Sequence, residues 1–226
     1  MNGQALIPGV EPAYEPWVDD PDVALTPRAV ARQGIEFARG VIKHTPRRLL
    51  DPCSGSGVFG AEAWGLDTTG IEPARHAWQW ERHYGEAIGL PFEQAAPRLK
   101  GQFDLVVGNP PFSLLIDFVD LGYECLTHGG VLCYLGLNDW GQRGRDHEDL
   151  WRRLRPSYMA RIPGAIQFKT GTNPKTGKPW TTDMRSYCWW AWVKGTKPRF
   201  TKMTTLDRLE PEQLRWVEPP GQETTT

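Results

Sequence analysis

The chain has 226 residues, which suits one α/β domain with a substantial core, or one domain with small additions, and is short for two full domains. Lysine plus arginine number 26 against 27 for aspartate plus glutamate, a formal net charge of -1, so there is no global basic field and any nucleic-acid contact must come from local patches. Four cysteines without a CxxC pair or even spacing speak against a metal site and a disulfide framework, and no apolar run reaches membrane-spanning length, so a soluble protein in a reduced, cytoplasmic setting is expected.

Residues 1–25 are rich in proline, glycine and acidic residues and read as an irregular N-terminal arm. One folded domain is expected over 26–200. Thr26 is a good helix cap and Pro27 suits the first helical position, after which Val30, Phe37, Ala38 and Val41 recur at helical spacing up to residue 43. Residues 48–51 read as a short buried strand, followed by a glycine loop and a helical run through 64. Residues 70–73 close a second strand and 74–84 read as the next helix. A strand over 103–108, a helix over 114–126 and an apolar strand over 130–137 follow. This alternation predicts an α/β fold with a mostly parallel sheet and helices on both faces.

The polar run 138–156 interleaves Arg143, Arg145, Arg152, Arg153 and Arg155 with Trp140 and Trp151, and reads as an insertion or flap within 139–160. Residues 168–185 form a basic loop, and the aromatic strand 186–193 after it implies a C-terminal antiparallel hairpin. In the tail, 201–226, a short helix is expected at 211–217 and disorder from 219 onward. Five of the eleven tryptophans fall between residues 180 and 216; most are read as packing, with one or two available to stack on a base.

Two stretches carry chemistry. The run from Gly55 to Gly60 fits the pattern GxGxxG, and Glu72 lies at a distance suited to ribose hydroxyls; both features serve any adenosyl cofactor. Asp51 discriminates. A carboxylate at that strand end would repel a pyrophosphate but suits a ligand with a cationic group, which disfavours an NAD-type oxidoreductase. Downstream, Asn109-Pro110-Pro111-Phe112 ends the apolar run 103–108 with a two-way hydrogen-bonding amide, two stiffening prolines and an aromatic ring. That makes a rigid clamp for a flat, amino-bearing molecule, the plain alternative being an Asn-Pro turn leaving a buried strand.

Taken together, Asp51-Pro52-Cys53-Ser54-Gly55-Ser56-Gly57 and Asn109-Pro110-Pro111-Phe112 resemble the class I, S-adenosylmethionine-dependent amino-methyltransferases, and among them the DNA adenine-N6 methyltransferases. The resemblance covers residues 26–137 and, more loosely, 162–193. It implies a Rossmann-like fold and S-adenosyl-L-methionine as cofactor. Asp51, Pro52, Gly55 and Gly57 would hold its methionine part, Glu72 and Pro73 its ribose, and Asn109, Pro110, Pro111 and Phe112 the target amine. Thr26-Pro27 resembles the family's segment that meets the cofactor's carboxylate, a plain helix cap being the alternative. Phe168 stands where relatives carry an aromatic that sandwiches the flipped base, the alternative being a core phenylalanine. Residues 92–96 depart from the family by offering no aspartate for the cofactor's adenine. Lys169, Lys175 and Lys178, with the arginines of the 143–155 run, are candidates for phosphate contacts, a solvated charged face being the alternative.

The expected activity is methyl transfer to the N6 amine of adenine in DNA after base flipping, by a solitary, phage-type enzyme. Similar motifs occur in enzymes that methylate adenine in RNA or a glutamine amide in protein. Phe rather than Tyr at position 112 and the basic loops lean towards nucleic acid. A non-catalytic subunit of the same fold is the rival of another class, opposed by the presence of Asp51, Glu72 and Asn109.

Overall fold

The computed structural model describes residues 25–73, 79–140, 144–168, 178, 181 and 184–215. Strands that read as unbroken apolar runs must be covered on both faces, and they form the centre of one sheet. These are β1 (Arg48–Asp51), β4 (Phe103–Gly108) and β5 (Leu126–Leu137). With β2 (Asp67–Ile71), β3 (Glu86–Ile88), β6 (Tyr158–Arg161), β7 (Tyr187–Val193) and β8 (Lys202–Thr205) they take the order β3-β2-β1-β4-β5-β7-β6-β8. The first five are mutually parallel, while β7 runs antiparallel to both β5 and β6. The α/β fold with a mostly parallel sheet and a C-terminal antiparallel hairpin is therefore as expected.

Alternation along β5 shows that helices cover both faces. The Cys133 thiol reaches the Gly34 carbonyl of α1 (Arg28–Val41) at 3.8 Å, whereas the next residue, Tyr134, donates its hydroxyl to the Phe118 carbonyl of α4 (Leu115–Cys125) at 3.2 Å on the opposite side. The short α2 (Val58–Glu62) packs against α1 and is pinned by a buried carboxylate: Glu62 accepts from Arg28 at 2.6 Å and Arg32 at 2.8 Å, one turn apart on α1. Further along, α3 (Phe92–Ala95) buries Phe92 and Ala95.

Several elements differ from the sequence expectations. Pro27, not Thr26, occupies the cap position of α1, and no side chain caps the helix. In place of a helix running to residue 84, the described part, Trp80–His83, is a 3-10 turn; residues 74–78 lie outside the described residues. Within the stretch read as an insertion or flap lies a helix, α5 (Arg145–Arg153), packed against the sheet. It buries Leu150 and sets Trp151 edge-on to Trp190, while Trp140 lies against Trp190 and Trp192. Two of its arginines are spent on ion pairs, Arg153 with Asp120 of α4 and Arg152 with Glu148. Strand β8 went unforeseen because Lys202–Thr205 has no apolar alternation, and its four residues are exposed. Residues 211–214 form turns, not the expected helix, and Leu214 packs into the core.

Gly34 marks the closest approach of α1 to the sheet: a methyl group there would lie 2.4 Å from the buried indole of Trp189 on β7. Alanine is favoured over glycine in a helix by roughly 1 kcal/mol, but overpacking a rigid core commonly costs about 1–3 kcal/mol. Because the neighbour is a fully buried ring that cannot swing away, Gly34→Ala is expected to lower the urea midpoint of unfolding, despite its better helix propensity.

Candidate active site

In a parallel sheet the loops leaving neighbouring strands meet at their carboxyl ends, and the crevice opens where the strand order reverses. Here the order reverses at β1, which pairs in parallel with both β2 and β4. Three predicted stretches leave these strands side by side: the glycine loop after β1, Glu72 and Pro73 after β2, and Asn109 to Phe112 after β4.

The glycine loop turns sharply. Gly55 and Gly57 take positive φ, 51° and 81°, which only glycine adopts without strain. A side chain at Gly57 would also strike the imidazole of His83, 2.7 Å away, so the 3-10 turn lies directly against the loop. The Ser54 amide donates to the Ile71 carbonyl at 2.9 Å and the Gly55 amide to Glu72 Oε2 at 2.8 Å, tying the loop to the end of β2.

Asp51 is fully buried. Its Oδ2 accepts from the Tyr84 hydroxyl at 2.5 Å and its Oδ1 from the Cys53 amide at 3.2 Å. Burial outweighs these hydrogen bonds, and with Glu72 nearby the carboxyl is pushed up to about 7. Burial likewise raises the Tyr84 phenol and the Cys53 thiol, so both stay protonated at neutral pH. Gly108 lets the strands approach: a methyl group there would lie 3.1 Å from Asp51 Oδ1 and 3.2 Å from Cys53 Sγ. Asn109 thus follows, by one residue, the point where β4 passes closest to the Asp51 carboxylate.

Asn109 donates from Nδ2 to the Thr26 hydroxyl at 3.1 Å, bringing the segment before α1 into the site. Pro27 and Pro52 are buried, as is Pro110, whereas Pro73, Pro111 and Phe112 are partly exposed. The Phe112 ring lies 6.0 Å from Tyr187 at a 32° tilt, and the guanidinium of Arg185 stands 5.9 Å from each of the two rings. Phe168 is 6% exposed and meets Tyr187 edge-on at 5.0 Å, so it lies in the packing beneath this rim. Lys178 is exposed; Lys169 and Lys175 lie outside the described residues.

Tyr84 and Tyr187 were missed by sequence reasoning. Tyr84 ends a stretch read as helical and lies 33 residues from its carboxylate, and Tyr187 reads simply as a strand residue. Nothing local marks either one. The donor set fits an adenosyl cofactor with a cationic centre: among the described residues the partners of Asp51 are neutral donors, and the glycine turn admits no side chain.

No family model matches the chain. Over 143 residues it is 28% identical to the release factor glutamine methyltransferase of Streptomyces coelicolor. That match covers 58% of this chain and 48% of the relative, so the chain spans about half the length of the curated protein it resembles. Among solved structures it is similar to a Listeria monocytogenes protein described as a class I S-adenosylmethionine-dependent methyltransferase, with a TM-score of 0.58 and 13% identity over 82% of this chain and 66% of that one. It is also similar to the methyltransferase subunit of a type I restriction-modification system from Streptococcus thermophilus, with a TM-score of 0.61 and 15% identity over 85% of this chain and 51% of that one. At these identities the likeness is one of fold, and the chain has the class I methyltransferase fold.

Asp51 makes stability depend on pH. Its folded-state value of about 7 lies above the ordinary 3.8, so the folded chain holds a proton that the unfolded chain releases, and stability falls as pH rises from about 4 to about 7. Asp51→Asn carries no charge to desolvate. Without cofactor, its stability relative to wild type should be smallest near pH 4 and should rise by on the order of 4 kcal/mol by pH 8, read from urea unfolding at both pH values.

Proposed function

We propose that the protein transfers a methyl group from S-adenosylmethionine to the exocyclic N6 amine of adenine in DNA. The observation that carries the proposal is the close parallel approach of β1 and β4 at Gly108, where a methyl group would already lie 3.1 Å from the buried Asp51 carboxylate at the end of β1, one residue before Asn109. A site for a cationic adenosyl ligand and a clamp for an amine share one crevice.

Asp51, Pro52, Gly55 and Gly57 would hold the methionine portion, and Glu72 with Pro73 the ribose. When bound, the sulfonium supplies an electrophilic methyl group and a neutral leaving group. The chain's task is to correct a poor nucleophile, because the lone pair of an aromatic amine is delocalised into its ring. Asn109 Oδ1 and the Pro110 carbonyl accept hydrogen bonds from the amine, favour its pyramidal form and direct its lone pair. The two prolines stiffen the backbone that carries both acceptors. Phe112 stacks on the base, a contact worth about 1–3 kcal/mol. The amine becomes acidic as it is alkylated, so a carbonyl or water takes its proton and no strong base is needed. Arg185, standing at the Phe112 rim, suits a flanking phosphate, and Lys178 suits one further along.

A second reading is methylation of a glutamine amide in protein, favoured by the match to the Streptomyces coelicolor enzyme. Its planar amide would use the same two acceptors but needs no polyanion site. Tritiated methyl transfer to duplex DNA, RNA and glutamine-bearing protein separates these readings. Label in N6-methyladenine from DNA supports the first; label only in RNA or glutamine overturns it.

Within either substrate class, Asn109→Ala should lower turnover by about 100- to 1000-fold, the range seen when one positioned hydrogen-bonding group is removed. The thermal shift produced by S-adenosylhomocysteine should be retained. Undiminished turnover would remove Asn109 from the proposed role.

A further inference from the structure

Thr26 looks in sequence like a helix cap, yet its hydroxyl is spent elsewhere. Pro27 takes the cap position in an extended conformation, and no side chain bonds the first amides of α1. Thr26 is only 4% exposed, and its Oγ accepts from Asn109 Nδ2 at 3.1 Å across 83 residues of sequence. The segment that carries it is held independently: the Leu25 amide donates to the Phe168 carbonyl at 3.1 Å, and Pro27 is buried. Phe168 in turn packs on Tyr187, the ring that backs Phe112. Thr26 is therefore fixed by its own anchors and does not depend on Asn109 for its place.

An asparagine amide has a donor end and an acceptor end that differ only in which atom points where. Engaging Nδ2 with a fixed hydroxyl chooses between them and turns Oδ1 away from Thr26. We propose that Thr26 is a positioning residue: by accepting from Asn109 Nδ2, its hydroxyl commits the carbonyl end of Asn109 to the substrate amine. The inference rests on the methyl-transfer reading above and assigns Thr26 a task distinct from contact with the cofactor's carboxylate. Valine has the same shape without the lone pair, and serine keeps the lone pair without the methyl group.

The test compares Thr26→Val, Thr26→Ser and wild type. Misplacing a reacting group by about 1 Å can cost on the order of 100-fold. Thr26→Val is therefore expected to lower kcat by about 10- to 100-fold, to leave KM for S-adenosylmethionine and the melting temperature close to wild type, and to be rescued by Thr26→Ser. In nuclear magnetic resonance spectra of the cofactor-free protein, the Asn109 side-chain amide pair, identified by its loss in Asn109→Asp, should shift in Thr26→Val and stay near its wild-type position in Thr26→Ser. An unchanged kcat in Thr26→Val, a loss of cofactor affinity at unchanged kcat, or an unshifted amide pair overturns the proposal. If wild type methylates no acceptor, the functional reading fails separately, and the amide pair still decides the contact: a shift upholds it and no shift overturns it.

Discussion

The parallel pairing of β1 with β4 is the constraint on which the site depends. Each strand ends in a loop with its own chemistry, and neighbouring parallel strands bring those ends together on one edge of the sheet. The approach is close because Gly108 has no side chain; a methyl group would already crowd Asp51, Pro52 and Cys53. A glycine that reads in sequence as the tapering end of a strand is thus what lets two loops, whose Asp51 and Asn109 are 58 residues apart in sequence, leave the sheet side by side.

Two buried carboxylates on this face of the fold are handled in opposite ways. Glu62 faces two guanidinium groups, from Arg28 and Arg32, and serves to fasten α2 to α1. Asp51 receives a phenol and a backbone amide, and burial pushes it up to about 7. A buried charge left without a cation is costly, and such groups cluster where a ligand completes the site. The contrast makes Asp51 the candidate for a ligand site while Glu62 fastens the scaffold, although in sequence both are single acids beside apolar residues.

Long-range contacts assemble the rest of the rim. Tyr187 from β7 backs Phe112, Phe168 packs beneath Tyr187, and Thr26 reaches Asn109 from ahead of the first helix. The tryptophans of β7 divide between the faces of the sheet: Trp189 lies under α1, while Trp190 and Trp192 pack with Trp140 near α5. That buried aromatic layer explains why the polar run after β5 is a packed helix. Arg152 and Arg153 look outward in composition but are paired with acids, whereas Trp151 and Leu150 turn inward.

What the sequence determined by itself was local and periodic. Apolar runs placed the central strands, the bounds of β1 and β4 being those expected, and glycine and proline chemistry marked the two loops. These features are encoded within a few residues of one another, where backbone sterics and side-chain alternation act. Only the tertiary structure decided which residues complete them. Tyr84 on Asp51, Thr26 on Asn109 and Tyr187 behind Phe112 are partners separated by 33, 83 and about 75 residues. Edge strand β8 has no sequence signature for a related reason, because an exposed edge needs no apolar alternation and, among the described residues, β8 is held by pairing with β6. Backbone hydrogen bonding and side-chain contacts between distant segments leave no mark on neighbouring sequence, so they emerge only when the sheet is assembled.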